Sequence, residues 1–66
     1  MKVKLNDREV EIPQPMTLAE LLAGEGVSAE RTATAVNGTV VPASERSTFI
    51  VGDGDSILVI KAFYGG

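Results

Sequence analysis

Near its end the chain carries Ile57-Leu58-Val59-Ile60, an unbroken run of aliphatic and β-branched residues. Such a run reads as a strand that is apolar on both faces, and a strand of that kind belongs in the middle of a sheet. It constrains the fold because both of its edges must then be covered by other strands. Gly52-Asp53-Gly54-Asp55 stands directly before it as a tight turn, glycine and aspartate being the residues that tolerate turn backbone. Gly65-Gly66 follows it and closes the sequence.

With 66 residues the chain is expected to be a single domain, 1–66, with a flexible tail at about 63–66. A domain this small buries only about 60% of the surface that its unfolded form exposes. It contains no Cys and no His, so neither disulfides nor the usual zinc ligands can staple it, and the core must be aliphatic. The net charge of −3 is scattered and no basic run exists, which argues against a nucleic-acid partner. The start, Met1-Lys2-Val3-Lys4-Leu5, has no apolar signal core, and no stretch has the length to span a bilayer. A cytoplasmic protein without a membrane partner is the expectation.

Lys2-Val3-Lys4-Leu5 and Glu9-Val10-Glu11-Ile12 alternate polar with apolar around Asn6-Asp7-Arg8, a turn-forming group. This predicts a hairpin with Val3, Leu5, Val10 and Ile12 on one face and lysines opposite glutamates on the other. Pro13-Gln14-Pro15 ends the second strand, since proline cannot donate to a ladder. Thr17-Leu18-Ala19-Glu20 matches a capping box, with Met16 and Leu21 at the spacing of a hydrophobic staple. Leu18, Leu21 and Leu22 fall on one helical face, and Gly24 and Gly26 are candidate C-terminal caps. Ser28 to Arg31 reads as a helical turn or a loop. Thr32 to Val36 is β-prone, Asn37-Gly38 is the preferred type I′ hairpin turn, and Val40-Val41 precedes Pro42. Ala43 to Thr48 is polar and reads as loop or helical turn, and Phe49-Ile50-Val51 is apolar.

The expected fold is α+β: a mixed sheet of four to five strands gripping one main helix, the ubiquitin-like β-grasp. The final strand is expected in the middle, parallel to the first. If Ile57 and Val59 face the helix, Leu58 and Ile60 face the other way, and nothing in so short a chain is left to cover them. Leu58 and Ile60, with Ala35 from the neighbouring strand, are therefore a candidate partner-binding patch. Phe63 and Tyr64, nearer the end, are candidate contact residues, because aromatics bury much area at low entropic cost.

Catalysis has little to stand on. Without His and Cys the chain lacks the commonest general base and the best nucleophile. Asp53 and Asp55 fit a structural turn better than an acid–base pair. The turn lacks the spaced carboxylates of a calcium loop and the glycine pattern of a phosphate cradle. No metal site and no bound cofactor are expected. What remains is the end of the chain. Residues 62–66 can reach roughly 16 Å at ~3.3 Å per residue, and a di-glycine presents its α-carboxylate without side-chain obstruction.

Taken together, these residues resemble the thiamine-biosynthesis sulfur-carrier proteins, small β-grasp proteins that end in Gly-Gly. The resemblance runs the whole length. It is carried by Ala35-Val36-Asn37-Gly38-Thr39-Val40-Val41-Pro42, by Gly52-Asp53-Gly54-Asp55 with the Ile57 to Ile60 strand, and by Gly65-Gly66. It implies a non-catalytic co-substrate whose terminal carboxylate, on Gly66, is adenylated by a ubiquitin-activating-like adenylyltransferase using ATP. A cysteine-derived persulfide sulfur donor then converts it to a thiocarboxylate, which supplies sulfur to a thiazole synthase. Gly65 is the slender neighbour of the modified residue. Two relatives of the same fold are alternatives: the small subunit of molybdopterin synthase, with the same tail chemistry, and a ubiquitin-like protein modifier. The former tends to have a longer helix and a proline-bearing segment where Ala62-Phe63-Tyr64 stands here. A pure binding module with an incidental tail is the reading from another class.

Overall fold

The computed structural model describes residues 1–28 and 30–61. Among them the chain forms β1 (Lys2–Leu5), β2 (Arg8–Glu11), β3 (Met16–Thr17), α1 (Leu18–Gly24), β4 (Thr32–Val36), β5 (Thr39–Val41), a 3-10 turn (Ala43–Glu45), β6 (Ile50–Val51) and β7 (Ser56–Lys61). Five strands make one sheet in the order β2-β1-β7-β4-β5, and β3 pairs with β6 in a separate two-stranded ribbon. β7 is central and runs parallel to β1, while the other pairings are antiparallel. This is the ubiquitin-like β-grasp.

Each hairpin is set by its turn. Asn6 takes φ 55° and closes the first hairpin, so that Leu5 lies opposite Arg8. Arg8 therefore belongs to β2 and not to the turn, a correction to the sequence reading. The register sets Lys2 opposite Glu11 and Lys4 opposite Glu9. Asn37 and Gly38 both have positive φ, 51° and 85°, as a type I′ turn requires, and Val36 faces Thr39 across it.

The helix begins with a complete capping box. The Thr17 hydroxyl accepts from the Glu20 amide at 3.1 Å, and the Glu20 carboxylate accepts from the Thr17 amide at 3.0 Å. These bonds, backbone first and hydroxyl second, hold the Glu20 carboxyl below its ordinary range. The two preceding helical amides are satisfied from the polar loop: Leu18 donates to the Phe49 carbonyl and Ala19 to the Arg46 carbonyl. At the other end Gly26, at φ 73°, donates to Ala23 while Val27 donates to Leu22, a Schellman cap. Gly24 is the last helical residue; Gly26 makes the stop.

The core lies between the helix and one face of the sheet: Val3, Leu5, Ile12, Leu18, Leu21, Leu22, Val36, Val41, Val51 and Ile57. Leu18, Ile57, Val3 and Val51 are almost wholly enclosed. Each such side chain contributes about 1.5–3 kcal/mol relative to exposure. The seven-residue helix spans roughly 10 Å, about half the roughly 20 Å of β7.

Arg46 is buried as well, which the polar character of its segment did not suggest. Its Nε donates to Thr34 Oγ1 at 3.1 Å, one terminal nitrogen to Thr32 Oγ1 at 3.2 Å, and the other to the Thr32 carbonyl at 2.7 Å. Thr34 in turn donates to the Val41 carbonyl at 2.8 Å. The inward positions of β4 thus pass from apolar Val36 to Thr34 and Thr32, and Arg46 lies over the threonine end. Its hydrogen bonds compensate for taking a charge out of water.

Candidate functional site

β7 carries the alternation that its sequence predicts. Ile57 is 1% exposed, while Leu58 is 49% and Ile60 56% exposed. Val59, on the inward side, is half-buried and packs against the core margin, so its contact with the helix layer is partial.

The register places Leu58 opposite Ala35 and Ile60 opposite Ala33. Ala35 lies in turn opposite Val40 on β5, whose side chain is 72% exposed. Directly paired residues share a face, so Val40, Ala35 and Leu58 form one row and Ala33 and Ile60 the next. The three candidates of the sequence reading, Leu58, Ile60 and Ala35, are brought together. Val40 and Ala33 were missed. The signal for both was present: once Asn37-Gly38 is a two-residue turn, Val40 must oppose Ala35, and Ala33 shares the parity of Ala35. Alanine at both β4 positions leaves the three larger side chains standing above a low floor. Toward β1 the same face turns polar, with Ser56 opposite Lys4 and Lys4 opposite Glu9.

The Gly-Asp turn is a fastening, as its composition implied. Asp53 accepts from the Lys2 amide at 2.9 Å, and Gly54, at φ 85°, donates to the Lys2 carbonyl. Asp55 accepts from the Gly52 amide at 2.9 Å and from the Asn37 side chain at 3.0 Å. Asn37 also accepts from the Ser56 amide at 3.0 Å. Both carboxylates are occupied in joining the start of β7 to β1 and to the β4–β5 turn, which anchors that end of the strand in the sheet. Lys61, the amine nearest the end of the chain, lies on β7 opposite Thr32. The tail candidates Phe63, Tyr64, Gly65 and Gly66 lie outside the described residues. No helix among the described residues is long and apolar enough to cross a membrane.

The crystal structure of the thiamine biosynthesis protein ThiS from Geobacter metallireducens is 26% identical to this chain. It superposes with a TM-score of 0.85 over 100% of this chain and 99% of that one. The solution NMR structure of a thiamine biosynthesis protein from the same organism, also 26% identical, gives a TM-score of 0.79 over 100% of this chain and 88% of that one. No curated protein matches the chain. The sequence profile of the ThiS family matches residues 2–66. With the strand order, the central β7 and the full-length profile in agreement, the chain belongs to the ThiS family and is a sulfur carrier of the ThiS type.

Proposed function

We propose that the protein carries sulfur for thiazole formation in thiamine biosynthesis, as a non-catalytic cytoplasmic co-substrate with Gly66 as its reactive C-terminus. A carboxylate does not react with a sulfur nucleophile until one oxygen becomes a leaving group. In the proposed cycle a ubiquitin-activating-like adenylyltransferase joins the Gly66 carboxylate to the α-phosphorus of ATP, and pyrophosphate leaves. A persulfide sulfur then attacks the carbonyl carbon and displaces AMP. A thiol cleaves the resulting disulfide and frees the thiocarboxylate, which delivers sulfur to thiazole synthase. The protein itself binds no cofactor in this cycle; ATP belongs to the activating enzyme.

The observation that carries the reading is the placement of β7. The central strand, fastened at its start and flanked by the Val40–Ala35–Leu58 row, leads within five residues to Gly66. A rigid body thus supports a short chain whose last two residues have no side chains. Phe63 and Tyr64 would contact the enzyme channel, and the exposed patch would grip its rim. The chain has no thiol of its own to attack the activated carbonyl.

The test is incubation with the activating enzyme and ATP, followed by intact mass measurement. Wild type gains AMP, and with persulfide donor and thiol one terminal oxygen is exchanged for sulfur. Gly66→Ala, or deletion of Gly66, is expected to abolish both changes without altering the fold; normal loading of either variant refutes the reading. Leu58→Glu and Ile60→Glu are expected to weaken binding to the enzyme while leaving the thermal midpoint nearly unchanged. Conjugates of Gly66 with lysines of other proteins would instead identify a modifier.

A further inference from the structure

β7 is longer than its parallel neighbour. On the β4 side it is paired throughout, from Val36 opposite Ile57 to Thr32 opposite Lys61. On the β1 side pairing stops at Leu5 opposite Ile57, where β1 turns away. The hydrogen bonds show which groups point to that side. Asn37 donates to the Ser56 carbonyl, so the even-numbered residues of β7 bond to β4. Asn6 donates to the Ile57 carbonyl, so the odd-numbered ones face β1. Where β1 ends, the Asn6 side chain takes its place and accepts from the Val59 amide at 2.8 Å. Beyond that point, among the described residues, no strand covers the Val59 carbonyl or the Lys61 amide.

Beside this edge lies a groove of about 630 Å³, lined by Leu5, Asn6, Asp7, Arg8, Val27, Val59 and Lys61. Its floor is apolar, from buried Leu5 and half-buried Val27 and Val59. An acceptor and a donor two residues apart on an uncovered strand edge, over an apolar floor, are the requirements for adding one more short strand.

We propose that the Val59–Lys61 edge is a strand-addition site for an extended segment of the enzyme that activates the tail. The segment's main chain would bond to Val59 C=O and Lys61 N–H, and one apolar side chain would enter the groove over Val27 and Val59. This rests on the carrier reading above and adds a second contact, separate from the Val40–Leu58 face. Its effect would be to extend the sheet past the end of β1 and hold the strand from which the tail departs. A second copy of this chain is a poorer occupant. Two such edges are only a few residues long, and pairing them would bring Lys61 of both copies into one small ladder. Lysine on an edge is a recognised guard against such pairing.

Lys61→Pro separates this from other roles. It removes the amide that faces the free edge and leaves the groups of Ile60 that bond to β4. Lys61→Ala removes the side chain and keeps the amide. KM for adenylation is expected to rise about tenfold for Lys61→Pro, the scale of one lost hydrogen bond with its partner left unmade. For Lys61→Ala it is expected to change less than about twofold, and both variants should keep the circular dichroism spectrum of wild type. Hydrogen exchange at the Lys61 amide should slow in the wild-type complex with the enzyme. Wild-type KM for Lys61→Pro, or an equal loss in Lys61→Ala, overturns the edge proposal and leaves the carrier reading standing. Failure of wild type to be adenylated removes the carrier reading and this proposal with it. A wild-type dimer in sedimentation that Lys61→Pro abolishes would assign the edge to a second copy and also overturn the proposal. Should Lys61→Pro fail to fold, wild-type exchange at the Lys61 amide decides alone: protection in the complex supports the added strand, and no change refutes it.

Discussion

Ile57 and Leu58 are neighbours on one strand and of nearly equal hydrophobicity, yet one is enclosed and the other half in water. The same contrast holds for the whole sheet. Its inner face, with Val3, Leu5, Val36, Val41 and Ile57, is covered by α1 and the Arg46 loop. Its outer face has no second layer among the described residues, and there Leu58, Ile60 and Val40 remain exposed. A chain this short has material for one layer on one side. Stability therefore depends on one face, and the other is free to change in the service of binding.

Substitution of the enclosed member should have the largest effect. Ile57→Ala is expected to lower stability by about 2–5 kcal/mol, read from the denaturation midpoint, because a filled core site becomes a cavity. Next comes Arg46→Ala, at about 1–3 kcal/mol, since Thr34 and the Thr32 carbonyl lose their buried partner. If Arg46→Ala proves harmless, the inner face is less closely closed at its threonine end than the contrast requires.

Thr17→Ala should cost about 1 kcal/mol by removing the helix cap. The same cap makes a pH signature. The Glu20 carboxyl is held below its ordinary value of 4.5 by the Thr17 amide and hydroxyl. Its contribution is therefore complete above about that pH and fades as acid brings the pH down through the lowered folded value. Thermal midpoints of wild type and Glu20→Gln should converge as the pH falls through this window. A constant gap would mean that the charge on Glu20 does not contribute. The smallest effect belongs to the exposed neighbour: Leu58→Ala should change stability by less than about 0.5 kcal/mol, while weakening capture by the proposed activating enzyme. A large stability loss there would erase the distinction between the faces.

Local signals were legible where a few consecutive residues settle the outcome. Thr17 and Glu20 specify the helix start, Asn37-Gly38 the second hairpin, and the Ile57 to Ile60 run the central strand. The ribbon of Met16–Thr17 with Ile50–Val51 was not legible, because two-residue strands have no period to read. Burial of Arg46 was hidden for a related reason. A charged residue in a polar segment reads as exposed until the threonines that receive it are known.

The sequence alone determined the types of the longer elements, the register of the Asn37-Gly38 turn and the alternation of each long strand, because those follow from the backbone preferences of adjacent residues and a period of two. From the register of one type I′ turn it also contained the Val40–Ala35 pairing. Only the tertiary structure decided how far each strand extends beside its neighbours. That depends on where β1 turns away from β7 and on Asn6 reaching Val59 across fifty-three positions of sequence. Contacts between distant segments are fixed by packing of the whole, and no local preference encodes them. The uncovered edge at Val59 to Lys61 is a property of that packing.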